Sequence, residues 1–299
     1  MNFFQTIDQT KLFYKDIGEG SPVILIHGWP LSADMWEEQS MALSEAGFRV
    51  ISYDRRGFGR SEQPAQGYNY DTFASDLNDL IAHLELEKVS LVGFSMGGGE
   101  VARYLSRYGS DKVSCASLVA SVTPYLKKAS DNPEGVPEEK IQEIEAGIRK
   151  DRFAFFHGFF KDFFGVNLVK HPVSAATLAW AEMVASQASL KATIECVNAF
   201  GRTDFRPDMK AFTIPTLIIH GTSDQTVPLS TSGAQAAKMI PSATYKPYEG
   251  APHGLNLTHK EELNQDLLEF LKAHGAEVYP SKRVGKSGQK IAPALDSMQ

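Results

Sequence analysis

The pentapeptide Gly93-Phe94-Ser95-Met96-Gly97 lies between an apolar run, Val89-Ser90-Leu91-Val92, and a helix-like segment that begins Gly97-Gly98-Gly99-Glu100-Val101-Ala102. A G-x-S-x-G sequence with a strand before it and a helix after it predicts a sharp turn. In such a turn the serine backbone is strained, its hydroxyl is presented to the solvent side of a sheet, and glycine is needed on both flanks. Ser95 is therefore the first candidate for a nucleophile. The alternative is a glycine-rich turn holding an ordinary serine. It asks nothing of the rest of the chain, whereas a nucleophile needs partners that can be sought.

Nearly continuous apolar runs at Val23–Ile26, Val50–Tyr53, Val89–Val92, Val113–Val119 and Thr216–Ile219, with a last short one at 243–245, read as parallel strands covered on both faces. Between the second and third, Phe73, Leu77, Leu80, Ile81 and Leu84 fall on one helical stripe that Asp71 or Thr72 can cap, which makes a β-α-β unit. A closing helix is predicted from the capping box Thr258-His259-Lys260-Glu261, with Leu263, Leu267, Leu268 and Leu271 on its inner face. The strand pattern breaks between about 122 and 215, where Phe153, Phe155, Phe156, Phe159, Phe160, Phe163 and Phe164 crowd a mainly helical stretch. We read this as a cap inserted over a pocket, with most of the phenylalanines serving as the core of its own helices and two or three facing ligand. The domain expectation is one α/β unit over 1–274 and a polar Gly/Ser/Lys-rich tail, or expression scar, over 275–299.

A serine hydroxyl is a weak nucleophile at neutral pH, so it needs an imidazole to take its proton and a carboxylate to hold that imidazole in the right tautomer. Asp224 follows a strand in His220-Gly221-Thr222-Ser223-Asp224-Gln225, and His253 follows the last strand in Glu249-Gly250-Ala251-Pro252-His253-Gly254. Ser, Asp, His is the chain order of an α/β-hydrolase triad, and all three sit at strand ends, where parallel sheets gather their sites. The tetrahedral intermediate also needs two N–H donors. Met96, next after the nucleophile, supplies one, and Trp29, in the loop His27-Gly28-Trp29-Pro30 after the first core strand, supplies the other.

Of the remaining histidines, His27 and His220 precede glycines at strand ends and read as structural. No H-E-x-x-H or comparable cluster appears, so no metal and no other cofactor is expected. Asp54-Arg55-Arg56-Gly57-Phe58-Gly59-Arg60-Ser61 lacks the lysine and spacing of a phosphate loop and reads as a turn with internal ion pairing. At 299 residues, 42% hydrophobic and net charge −6, without a concentrated basic stripe, the composition points away from nucleic-acid and anionic-membrane partners. The first residues lack a basic, then apolar, leader and no run reaches the ~20 apolar residues of a membrane span, so a cytoplasmic enzyme is expected, and Cys115 and Cys196, in an apolar and a helical run, read as small core residues rather than a disulfide.

His27-Gly28-Trp29-Pro30, the Asp54–Ser61 loop, Gly93 to Gly99, Asp204-Phe205-Arg206-Pro207-Asp208 and His220 to Gln225 together resemble the cofactor-free haloperoxidase and aryl esterase branch of the α/β-hydrolases, over roughly residues 10 to 272. The resemblance implies an eight-stranded, mostly parallel sheet with helices on both faces, a small helical cap and frequent homo-oligomers. It also implies an acyl-enzyme on Ser95 that water or hydrogen peroxide can attack, the latter giving a peracid. The acyl pocket is then expected to be lined by Trp29, Phe94, Val122, Phe159, Phe163, Thr226 and Val227, the cap residues among them resting on the resemblance. Small acyl or aryl esters are the expected substrates. A lactonase or γ-lactamase on small cyclic substrates is the alternative within hydrolases, and a non-catalytic ligand receptor the alternative outside them. Pro30, where plainer aryl esterases are associated with leucine, either stiffens the loop or resets the Trp29 carbonyl to favour peroxide as the acyl acceptor.

Overall fold

The computed structural model describes residues 2–275, so the expected tail, Gly275 apart, lies outside the described residues. The chain opens with two strands that apolar runs do not reveal, β1 (Asn2–Gln5) and β2 (Lys11–Ile17), paired antiparallel. Six more follow at the predicted places: four reach two residues beyond their apolar runs, one matches its run, and the last starts one residue later than expected and reaches three further. They are β3 (Ser21–Ile26), β4 (Phe48–Tyr53), β5 (Val89–Phe94), β6 (Val113–Val119), β7 (Thr216–Gly221) and β8 (Thr244–Tyr248). They form one eight-stranded sheet in the order β1-β2-β4-β3-β5-β6-β7-β8, parallel from β4 onward.

β4 lies on one side of β3 and β5 on the other, so the order reverses there and opens a crevice at the carboxyl ends of β3 and β5. Ile26 pairs with Gly93 at those ends, which sets the loop after β3 beside the turn after β5. The peptide bonds Trp29–Pro30 and Thr123–Pro124 are cis.

The sheet is covered by α1 (Glu37–Glu45), α2 (Tyr70–His83) and α3 (Met96–Tyr108), and by helices that follow β7. The stripe of α2 is buried at Phe73, Leu77, Leu80 and Ile81, but the cap is Asn69, whose side chain accepts from the Thr72 N–H at 3.1 Å. Asp71 is drawn away to Arg103 and Arg107. Between β6 and β7 the chain inserts α4 (Glu138–Phe164), α5 (Ala175–Ser186) and α6 (Leu190–Arg202). α4 is broken at Asp151, whose φ of −163° is not helical; its Oδ1 accepts from the N–H groups of Phe153 and Ala154 and so starts the phenylalanine-rich half afresh.

After β7 come α7 (Gly233–Met239), α8 (Leu255–Thr258) and α9 (Lys260–His274). The predicted capping box does not form: Thr258 ends α8, its hydroxyl donates back to the Gly254 carbonyl at 3.3 Å, and α9 starts without a side-chain cap. Leu263, Leu267 and Leu271 of α9 are buried as expected. Cys115 and Cys196 are buried free thiols. Among the described residues no helix is long and apolar enough to cross a membrane.

Candidate active site

Ser95 has φ 52° and ψ −117°, a left-handed conformation that costs a non-glycine residue on the order of 1–3 kcal/mol. The surroundings hold it there. Its N–H donates to the Val119 carbonyl at 2.8 Å, and its carbonyl accepts from Gly98 and Val122 at 3.0 and 3.2 Å. A Cβ on Gly93 would stand 2.5 Å from the Gly97 carbonyl oxygen, and one on Gly97 would stand 2.4 Å from the Ile26 oxygen, so α3 can approach β3 and β5 this closely only with glycine at both positions. The turn turns the Ser95 side chain out of the sheet toward the residues that follow β7 and β8.

There His253 Nε2 lies 3.0 Å from Ser95 Oγ, and His253 Nδ1 lies 2.6 Å from Asp224 Oδ2. All three residues are buried. Asp224 Oδ1 accepts from the backbone N–H groups of Thr226 and Val227 at 2.9 and 2.8 Å, while Oδ2 also faces His220 Nε2 at 3.3 Å. Burial by itself pushes the Asp224 carboxyl pKa up. The charge and hydrogen bond of His253, with the contribution of His220, outweigh it, and the net shift is downward, below the ordinary carboxylate range. An anionic Asp224 can only accept, which places the proton of His253 on Nδ1 and leaves Nε2 free to take the proton of Ser95.

The two expected donors, Met96 and Trp29, follow the nucleophile and Gly28 directly in the chain. Met96 is the first residue of α3, so its N–H has no acceptor one turn back in the helix. Gly28 packs so tightly on the nucleophile that a Cβ there would lie 3.1 Å from Ser95 Cβ and 2.6 Å from the Phe94 ring, and Trp29 is the next residue. His27 Nε2 accepts from the Arg55 N–H at 2.9 Å, so Nδ1 carries the proton and donates to the Gly28 carbonyl at 2.9 Å. That carbonyl and the Trp29 N–H belong to one planar trans unit and point opposite ways, so holding the first aims the second. Burial, with the nearby charge of Arg55, drives the His27 pKa well below the usual imidazole value and keeps the ring neutral in this role.

The same loop is held from below by a buried ion pair between residues that lie far apart in the sequence. Arg55 donates to the His27 carbonyl at 2.9 Å and pairs with Glu100 Oε2 at 2.7 Å; Glu100 is on α3, and its Oε1 accepts from the Tyr53 hydroxyl. Arg56 pairs with Asp76 and Asp8, and Arg60 with Asp54 and Asp34. The expectation of pairing internal to the Asp54–Ser61 loop is thus met only by Arg60 with Asp54; the two preceding arginines reach other elements.

The rings of Phe94 and Phe163 pack on His253 with centroids 5.1 and 5.0 Å away, and Val122 sits against Ser95 through its N–H. Phe159 stacks edge-on to Trp29 at 5.2 Å. Trp29 itself is clasped by α4 and α6, through Phe155, Phe156 and Phe200 besides Phe159, and its indole N–H donates to the Thr193 carbonyl at 3.0 Å. Phe155 is expected from sequence only as one of the cap phenylalanines, and Phe200 has no counterpart in the sequence reading. Thr226 and Val227 touch the acid through their backbone. Among the described residues no group of three or more His, Cys, Asp or Glu side chains is arranged to hold a metal ion.

A family model described as the alpha/beta hydrolase fold matches residues 21–260. A non-heme chloroperoxidase of Kitasatospora aureofaciens is 43% identical over 268 residues, 89% of this chain and 98% of that protein. A bifunctional esterase/perhydrolase of Acinetobacter calcoaceticus is 37% identical over 91% of this chain and its own whole length. Among solved structures, a bromoperoxidase from Bacillus anthracis superposes with a TM-score of 0.88 at 49% identity, covering 91% of this chain and all of its own.

Proposed function

The chain belongs to the α/β-hydrolase family, and from that premise and the site geometry we propose that it is a serine esterase acting on small acyl or aryl esters, with perhydrolase activity of the haloperoxidase type. The observation that carries this reading is the continuous chain of contacts from Ser95 Oγ through His253 to Asp224, at 3.0 and 2.6 Å, beneath a strained strand-to-helix turn. In the proposed cycle Ser95 attacks the ester carbonyl as His253 takes its proton. Met96 and Trp29 N–H groups receive the oxyanion, and His253 returns the proton to the leaving alcohol. The acyl-enzyme is then cleared by water, giving the acid, or by hydrogen peroxide, giving the peracid. Halide oxidation follows in solution from the peracid. The test is a panel of p-nitrophenyl esters with a small lactone and a bicyclic lactam, each with and without peroxide, scored for product and peracid. Turnover of the cyclic substrates with none of the esters would replace the esterase reading.

Ser95 is only 5% exposed, and in the acyl pocket proposed here Phe94 and Phe163 pack on His253, Phe159 packs on Trp29, the Val122 N–H meets the Ser95 carbonyl, and Thr226 and Val227 donate to the acid. A short acyl group is what that room favours. Acetate and butyrate esters are expected to show a higher kcat/KM than octanoate, and a rise from butyrate to octanoate would show that the aromatic residues line a longer channel.

Pro30 stands directly after the proposed donor Trp29. Proline removes an N–H at its own position and leaves that of Trp29 in place, so a change to leucine alters the orientation of the Trp29 carbonyl more than the donor. The ratio of peracid formation to ester hydrolysis is expected to fall several-fold in Pro30→Leu. An unchanged ratio in folded protein assigns Pro30 to loop stiffness alone.

A further inference from the structure

The Gly28 N–H, one residue before the proposed oxyanion donor, donates to a sulfur atom: Met35 Sδ, at 3.3 Å. Met35 lies in the 3-10 turn Ala33–Trp36 and is 1% exposed; the Asn256 side-chain amide holds its carbonyl at 3.0 Å. The thioether therefore braces the amide side of Gly28, while His27 braces its carbonyl side. On its other flank Met35 is part of the wall of a cavity of about 280 Å³, between this turn and α5, together with Asp34, Ala176, Thr177, Trp180 and Leu257. Met35, whose thioether can be oxidised by two electrons, thus belongs both to the wall of a surface cavity and to the support of the loop that touches Ser95.

We propose that Met35 is an oxidation site through which the enzyme's own peracid product switches off its oxyanion loop. The proposal rests on the perhydrolase reading for its source of oxidant. The sulfur lone pair attacks the terminal oxygen of R–CO–O–OH. The S–O bond forms as the O–O bond breaks, and the electron pair of that bond leaves on the carboxylate oxygen, which takes the hydroxyl proton. The thioether is oxidised to the sulfoxide and the peracid is reduced to the carboxylic acid. A peracid of two or four carbons is small enough for the cavity, and it is also generated at Ser95, on the far side of Gly28. The product is larger, polar and a stronger hydrogen-bond acceptor than the thioether. Its acceptor is then the sulfoxide oxygen, displaced from the position of the sulfur that the Gly28 N–H now meets at 3.3 Å, so Gly28 must shift, and with it the Trp29 N–H, whose loss of aim is expected to cost about 100-fold in kcat with little change in KM.

The experiment treats purified full-length protein with preformed peracetic acid and follows activity alongside peptide mapping of all methionines. Met41 and Met183, 60% and 55% exposed, are expected to oxidise first without loss of activity. Inactivation is expected to track the sulfoxide of Met35. Met35→Leu keeps the apolar volume but leaves the Gly28 N–H without its acceptor, so its starting activity is expected to be lower. Its half-life in peracid is expected to be at least ten-fold longer than that of wild type. Inactivation with Met35 unmodified, or an equally rapid loss in Met35→Leu, overturns the proposal. If the leucine variant does not fold, the order of modification and inactivation in wild type decides alone. A second arm supplies an acetate ester and hydrogen peroxide instead of peracid. Wild type that makes no peracid there, yet loses activity with Met35 oxidation in the first arm, fails the perhydrolase reading and leaves Met35 as the site vulnerable to external peracid.

Discussion

Alanine at Ser95 or at His253 is expected to lower kcat on p-nitrophenyl acetate by about four or more orders of magnitude while the protein stays folded. The two groups act as one unit: the imidazole makes the hydroxyl nucleophilic, and without the hydroxyl the imidazole has nothing to activate. The double variant should therefore be no slower than either single one. Asp224→Asn is expected to lose about as much. The asparagine nitrogen can face Nδ1 only as a donor, which shifts the His253 proton to Nε2 and points it at Ser95, the tautomer that cannot act as base. Ser95 contributes no packing that its Cβ alone does not keep, so circular dichroism and the denaturation midpoint should match wild type for Ser95→Ala. A serine-directed phosphonate should label Ser95 in wild type and nothing in that variant. Labelling of another residue, or activity retained within ten-fold of wild type in Ser95→Ala, removes the assignment.

How far the sequence foretold this arrangement depends on whether a signal is local. The elbow is written in five consecutive residues, and Asp224 and His253 each sit a few residues past an apolar run, so the three side chains that the structure brings together were nameable before it. β1 and β2 were not, because an antiparallel edge pair is half exposed and the short apolar stretch Leu12-Phe13-Tyr14 is hemmed in by Lys11, Lys15 and Asp16. The helix caps depart from expectation for a different reason. Asn69, Asp71 and Thr72 all have capping side chains, and the choice falls to whichever residue adopts extended φ and ψ at the helix start, here Asn69 at −141° and 160°. At the other end, Thr258 was claimed by a four-residue helix that no periodicity announces. Met35 under Gly28 and Arg55 beside Glu100 are contacts between elements, and nothing in either local sequence names the partner. The one available hint was chemical: a glutamate one turn into an otherwise apolar helix face must find a cation if it is buried.

Removing either member of that buried pair is expected to cost about 3–5 kcal/mol of stability, because the survivor is left as an uncompensated charge away from water. Glu100 and Arg55 are 0% and 1% exposed, so neither can turn outward for relief. Arg55→Met and Glu100→Met should each lower the denaturation midpoint sharply. The double change to two apolar side chains of similar volume should recover most of that loss, since a buried ion pair is commonly worth no more than the packing that replaces it. Catalysis is expected to divide from stability at this point. Arg55 is also the donor that holds the His27 carbonyl at 2.9 Å, and no methionine can make that bond, so the oxyanion loop stays loosened after the core has been repaired. The restabilised double variant should therefore keep near-normal KM with kcat reduced by about ten-fold or more, and Arg55→Lys with Glu100 intact should lie between it and wild type. Equilibrium denaturation and steady-state kinetics on wild type and these four variants separate the two effects. If stability and kcat return together in the double variant, Arg55 and Glu100 serve the core alone, and the aim of the Trp29 N–H must be set by His27 and the tight approach of Gly28 to Ser95.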